Sequence, residues 1–116
     1  MPLTSGVELE LCFQRGIIML HHVVTFSWKK DITDEQVESF HKALDAISAS
    51  IPQVVEFRYG RDLALKPGIG DYAISAIFED VPAFRAYLVH PDHVRLVEEF
   101  ISVMSESYSS IQFEFA

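Results

Sequence analysis

The stretch "YLVHPDHVRL", residues 87 to 96, sets Tyr87, His90 and His93 close together and divides the two histidines with Pro91. Imidazole is the side chain whose ordinary proton affinity suits transfer near neutral pH, and a phenol can donate to developing negative charge. A base and a phenolic donor in one pocket suit abstraction of a proton beside a carbonyl, with the phenol steadying the enolate. The same spacing describes a structural joint, because aromatic residues on short helices are usually core and a histidine near a helix start often serves backbone groups. By spacing alone the structural reading is the stronger of the two.

Pro91 disfavours helical geometry at His90 and is well tolerated at the first position of a helix. One helix therefore ends at His90 and another opens at Pro91, with Tyr87 and His93 on opposite sides of the bend. Asp92 sits in the first turn of the second helix, where the dipole favours an anion, and the same dipole disfavours imidazolium at His93. Neutral imidazole is expected at His93 unless Asp92 turns its carboxylate toward the ring. A metal is not expected: no "HExxH" pattern is present, Pro91 keeps His90 and His93 off a common helical face, and a third ligand would have to come from His22. Cys12 is the single cysteine and can form neither an internal disulfide nor a thiolate cluster. A buried, inert thiol is expected there.

The elements that must position these residues follow from periodicity. "LHHVVTFSW" alternates Leu20, His22, Val24, Phe26 and Trp28 against His21, Val23, Thr25 and Ser27, a strand apolar on both faces and so covered on both. "DITDEQVESFHKALDAISASIP" is a helix with Thr33 or Asp34 as N-cap, an apolar stripe of Val37, Phe40, Leu44 and Ile47, and Pro52 at its end. "QVVEFRYGRD" reads as a second strand with Val55, Phe57 and Tyr59 on one face. "LALKPGIG" is a loop, and "DYAISAIF" is a third strand with Tyr72, Ile74, Ala76 and Phe78 on one face. "DVPAFRAYLV" is a short helix capped by Asp80, and "PDHVRLVEEFISVMSESY" a longer one burying Val94, Val97, Ile101 and Met104; "SIQFEF" closes as a strand. His41 falls at the boundary of the first helix's apolar stripe.

Strand, helix, strand, strand, helix, strand is the split βαβ, ferredoxin-like order, an α+β fold with a four-stranded antiparallel sheet and helices on one face. The other face would expose Val23, Thr25 and their neighbours, so a homodimer closing face to face into an α/β barrel is expected, with His21 pointing into its interior. Residues 1–18 lie outside this pattern as an amino-terminal extension, in which Val7, Leu9, Leu11 and Phe13 alternate as in an edge strand; Met19 could serve as an alternative start, and the domain is expected over 19–116.

The chain's 116 residues suit one core of ordinary size, and 49% apolar against 22% charged residues is the composition of a folded protein. Seventeen acidic against nine basic residues, net charge −8, repel phosphate backbones, which argues against nucleic acid as a partner. No apolar run is long enough to span a bilayer and the start lacks the pattern of a signal peptide, so no membrane partner and a cytoplasmic location are expected.

"HHVVTFSWK", "DYAISAIFED" and "AYLVHPDHV" together resemble the stress-responsive dimeric α/β-barrel family, Dabb, over about residues 19 to 116, with the "HPxHV" joint the most telling motif. The resemblance implies a ferredoxin-like subunit and a dimer closed through its sheets. Many members are small stress-associated proteins, and a plant branch comprises polyketide cyclases that carry out an aldol condensation without a cofactor. Carried over position by position, that branch places the phenol at Tyr87, the base at His93 and a strand histidine at His22, in a pocket lined by Val24, Phe26, Phe40, Leu44, Ile74 and Phe78. Two positions depart from it: Tyr72 stands where the cyclases carry a further histidine, and His41 replaces an aromatic residue on the first helix, which changes the pocket's shape and polarity. Binding a small carbonyl or aromatic molecule is the leading expectation. A cofactor-free cyclase-like enzyme, a non-catalytic stress-associated protein and a monooxygenase using Trp28 are the alternatives.

Overall fold

Thr33 opens the first helix through a capping box: its Oγ1 accepts from the Gln36 backbone N–H at 3.1 Å, and the Gln36 side chain accepts from the Thr33 backbone N–H at 2.8 Å. In the computed structural model, which describes residues 18–116, this helix (α1, Asp34–Ser50) follows a long first strand (β1, Met19–Trp28). Next come β2 (Val54–Arg61), β3 (Tyr72–Phe78) and α2 (Val81–Val89). The last helix, α3, is α-helical at Pro91–Leu96, π-helical at Val97–Ile101 and α-helical again at Ser102–Met104, and β4 (Ser105–Phe115) ends the fold. The amino-terminal extension, with its expected edge strand and Cys12, lies outside the described residues.

The sheet order is β2-β3-β1-β4 with every neighbouring pair antiparallel, which is the ferredoxin-like topology. Leu20, His22, Val24 and Phe26 of β1 and Tyr72, Ile74, Ala76 and Phe78 of β3 are buried beneath the helices, as their alternation requires. Val37, Phe40, Leu44 and Ile47 of α1 are buried against them, and Phe40 is wholly enclosed with ring contacts to Phe26, Trp28, Tyr72 and Phe100. Each such side chain contributes roughly 1.5–3 kcal/mol by leaving water. The loop after β2 returns to the sheet as expected. Asp71 donates its N–H to the Phe26 carbonyl at 2.7 Å, and its carboxylate accepts from the Trp28 N–H at 2.8 Å.

Three details differ from the periodicity. A bulge between Val54 and Glu56 inserts one residue, so Val54, not Val55, shares the buried face with Phe57. The π-turn of α3 likewise shifts the phase of its apolar stripe. Leu96 and Ile101, five residues apart, are buried with Met104, while Val94 is 40% exposed. Finally, the helix stops at Met104 and "SESY" belongs to β4, because β1 offers an antiparallel partner from Met19↔Phe115 to Trp28↔Ser105, in constant register up to Ser27↔Ser107 and shifted by one residue between Ser27 and Trp28. A ladder that pairs the whole length of β1 outweighs the helical pattern of four polar and aromatic residues.

Candidate functional site

His90 ends α2 and caps α3. Its backbone N–H donates to the Tyr87 carbonyl at 3.1 Å, and its ring Nδ1 accepts from the Asp92 N–H at 3.1 Å. That leaves His90 occupied with the joint itself. Asp92 turns its carboxylate to Arg95 and stands 3.9 Å from His90, so it does not hold the His93 ring. His93 faces back across the bend and its Nδ1 lies 3.1 Å from the carbonyl of Leu88, one of the carbonyls that the end of α2 leaves without a helical partner. A carbonyl can only accept, so in the neutral ring the proton sits on Nδ1 and Nε2 keeps its lone pair.

The bend brings Tyr87 and His93 together with ring centroids 4.4 Å apart. Tyr87, 2% exposed, is backed by Phe78 at 4.9 Å and flanked by Phe84, and His22 approaches from β1 with its ring 6.3 Å from Tyr87 and 4.8 Å from Phe84. Burial pushes the Tyr87 phenol well above its ordinary range, so it stays protonated and able to donate. Burial also lowers His93, against the Leu88 carbonyl, which raises it; the nearby His90 lowers it further. His22 is brought down to about 4, first by burial and then by His93 and His21. Both imidazoles are therefore neutral at neutral pH.

These three residues line one cavity of about 340 Å³, between β1 and β4 on one side and α2 and α3 on the other. That volume lies within the roughly 300–1,000 Å³ typical of small-molecule sites. Val24, Phe26 and Ile74, anticipated from the sequence, also line it. Phe40, Leu44 and Phe78 do not: Phe40 and Leu44 are wholly buried where α1 packs on the sheet, and Phe78 is buried behind the rings of Phe84 and Tyr87. His41 and Tyr72 pair with each other, Nδ1 to hydroxyl at 2.8 Å, beside the ring of Tyr59 on β2. Neither His41 nor Tyr72 lines the cavity. Trp28 stacks on Phe26 and is not part of the wall.

The remaining wall was not anticipated. Phe84 and Leu88 come from α2, and Leu96, Val97 and Ile101 from the phase-shifted stripe of α3. Tyr108, Ser110 and Gln112 come from β4, whose register sets them opposite Phe26, Val24 and His22. The signal that could have found Gln112 was the alternation of "SIQFEF", which sets it on the face opposite Ile111 and Phe113. No Lys, Arg, Asp or Glu lines the cavity. A recess of about 510 Å³ under the loop after β2 is larger and is lined by Tyr72, Thr25 and the glycine, aliphatic and charged residues of that loop, with no imidazole. Among the described residues no group of three or more His, Cys, Asp or Glu could hold a metal ion, and no helix is long and apolar enough to cross a membrane.

The chain is similar to a dimeric ferredoxin-like protein of unknown function from Thermobifida fusca YX: 33% identity, 84% of this chain and 92% of that one covered, TM-score 0.78. It is 29% identical over 75 residues to olivetolic acid cyclase of Cannabis sativa, covering 63% of this chain and 74% of that protein. Hydroxynitrile lyase from Passiflora edulis shares the fold at 17% identity, with a TM-score of 0.76 and 84% and 94% of the two chains covered. The family model described as Stress responsive A/B Barrel Domain matches residues 20–115. A match that runs through every strand and helix of the fold, the histidine joint included, makes this chain a member of the Dabb family.

Proposed function

We propose that the cavity between the sheet and α2–α3 binds a small, uncharged carbonyl or aromatic molecule, with Tyr87, His93 and His22 as its polar contacts. The observation that carries this reading is the 4.4 Å approach of Tyr87 and His93 in a cavity that also contains His22. The apolar wall suits a ring or short hydrocarbon, and a carboxylate or phosphate would enter without a cation to offset its lost hydration. Thermal-shift screening with ketones and phenols, each beside its carboxylate analogue, tests this. Stabilisation by a neutral compound that is reduced in Tyr87→Phe and in His93→Ala supports it. Preference for the carboxylates, or hits indifferent to both variants, would sink it.

Cofactor-free proton transfer is the second reading, favoured by the hydrogen bond that leaves Nε2 of His93 unprotonated. That nitrogen would take a proton from carbon next to the carbonyl, and the Tyr87 hydroxyl would donate a hydrogen bond to the resulting enolate oxygen. The cyclase named among the relatives is consistent with such chemistry. Solvent-deuterium exchange into a bound ketone, lost in His93→Ala, is the expected result.

The bare face of the sheet is assigned to a second copy of the chain. Ile111 is 62% exposed there and Phe113 45%, beside His21, which bonds Ser75 at 2.6 Å. The Thermobifida relative is described as dimeric.

A further inference from the structure

We infer that Gln112 is a positioning residue of the cavity: it fixes His22 as the tautomer with its proton on Nε2, so that His22 meets a ligand as a hydrogen-bond donor. Only the last clause rests on the proposed ligand site, since the tautomer is a property of the ligand-free protein.

The register of β1 and β4 sets His22 directly opposite Gln112, and both side chains leave the sheet on the helix side. The amide nitrogen of Gln112 lies 2.9 Å from His22 Nδ1 and 3.4 Å from Ser110 Oγ. An amide nitrogen has two hydrogens and no lone pair to offer, and these two partners can each accept one. With Nδ1 accepting, the one proton of the neutral ring belongs on Nε2. No carboxylate lines the cavity to draw that proton elsewhere.

His93 is set the opposite way. The Leu88 carbonyl holds its proton on Nδ1, so its Nε2 accepts while that of His22 donates. One glutamine and one backbone carbonyl thus give two chemically identical side chains different roles in one cavity. The two imidazoles and the Tyr87 hydroxyl thus offer two neutral donors and one acceptor among the three of them, the pattern that suits a carbonyl oxygen beside a transferable proton. With His22 in the other tautomer there would be two imidazole acceptors and one donor, which suits a ligand rich in hydroxyl or amino groups instead.

Long-range ¹H–¹⁵N correlation spectra of the full chain at pH 7, with His22 assigned from His22→Gln, read the tautomer directly. The expected result is protonated Nε2 and unprotonated Nδ1 at His22, and the reverse at His93. In Gln112→Glu, whose carboxylate can only accept, the His22 proton moves to Nδ1 while the His93 signals keep their pattern. A wild-type His22 protonated on Nδ1, or a pattern unmoved by Gln112→Glu, would overturn the assignment. Should Gln112→Glu lose dispersed amide signals, Gln112→Leu serves in its place, with both His22 nitrogen shifts moving toward the two-tautomer average; unmoved shifts overturn the assignment in the same way. No ligand is present, so a failed ligand screen and a wrong tautomer are separate outcomes.

Discussion

Tyr87 and His93 belong to different helices, yet their rings approach to 4.4 Å because the chain bends at His90–Pro91 between them. The joint and the candidate site are thus one object. The hydrogen bond from His93 to the Leu88 carbonyl both secures the bend and selects which ring nitrogen remains free.

Tyr87→Phe keeps the buried ring and removes only the hydroxyl. We expect a stability change within about 1 kcal/mol in urea denaturation, together with a loss of ligand affinity of about tenfold, the value of one hydrogen bond. Tyr87→Ala empties the space behind Phe78 and Phe84 and should cost about 3–5 kcal/mol. A large stability loss in Tyr87→Phe would mean that the hydroxyl serves the fold.

His22 supplies a pH dependence whose sign is fixed by its depressed pKa. Above pH 6.5 the ring is neutral whether folded or not. As pH falls from 6.5 toward 4 the unfolded chain binds a proton that the native state resists, so stability declines, and below about 4 this contribution levels off. His93 acts in the same direction. Denaturation midpoints of wild type and His22→Gln compared between pH 7 and 4 should converge as pH falls. Parallel curves would contradict the depressed pKa.

Thr33→Ala removes the acceptor for the Gln36 N–H at the start of α1. The expected cost is about 1 kcal/mol, with unchanged chemistry at the cavity. Thr33→Ser, which keeps the oxygen, should recover most of it in the same denaturation series.

Phe113→Glu places a charge on the bare face of the sheet without touching the cavity wall. Sedimentation velocity should show wild type as a dimer and the variant as a monomer at micromolar concentration. A wild-type monomer would assign the exposed Ile111 and Phe113 to some other contact.

Which parts of this were legible in the sequence depends on how far apart the interacting residues lie. Strands, helices, the capped start of α1 and the Pro91 joint are written in neighbouring residues, and alternation alone put His22, Val24, Phe26 and Ile74 on the helix side. The β2 bulge and the π-turn of α3 were not legible. Each inserts a single residue that periodicity cannot register, and Leu96, outside the expected stripe of Val97, Ile101 and Met104, joins the cavity wall beside Val97 and Ile101. Alternation could set Gln112 on the cavity face, but its partnership with His22, 90 residues away in the chain, is written only in the strand pairing. His41 and Tyr72, two separate departures from the cyclase pattern, proved to be hydrogen-bonded partners, which spacing in one chain could not reveal.

The ladder between β1 and β4 has a further consequence. Alternate residues of β4 serve two different surfaces: Tyr108, Ser110 and Gln112 face the cavity, while Ile111 and Phe113 face outward on the bare sheet. A slip of one residue would exchange these sets, turning Phe113 or Ile111 toward His22 and the polar side chains outward. The polarity of the chamber and the stickiness of the outer face are therefore written on one ribbon as two interleaved texts, and reading either one correctly depends on the same hydrogen-bond frame.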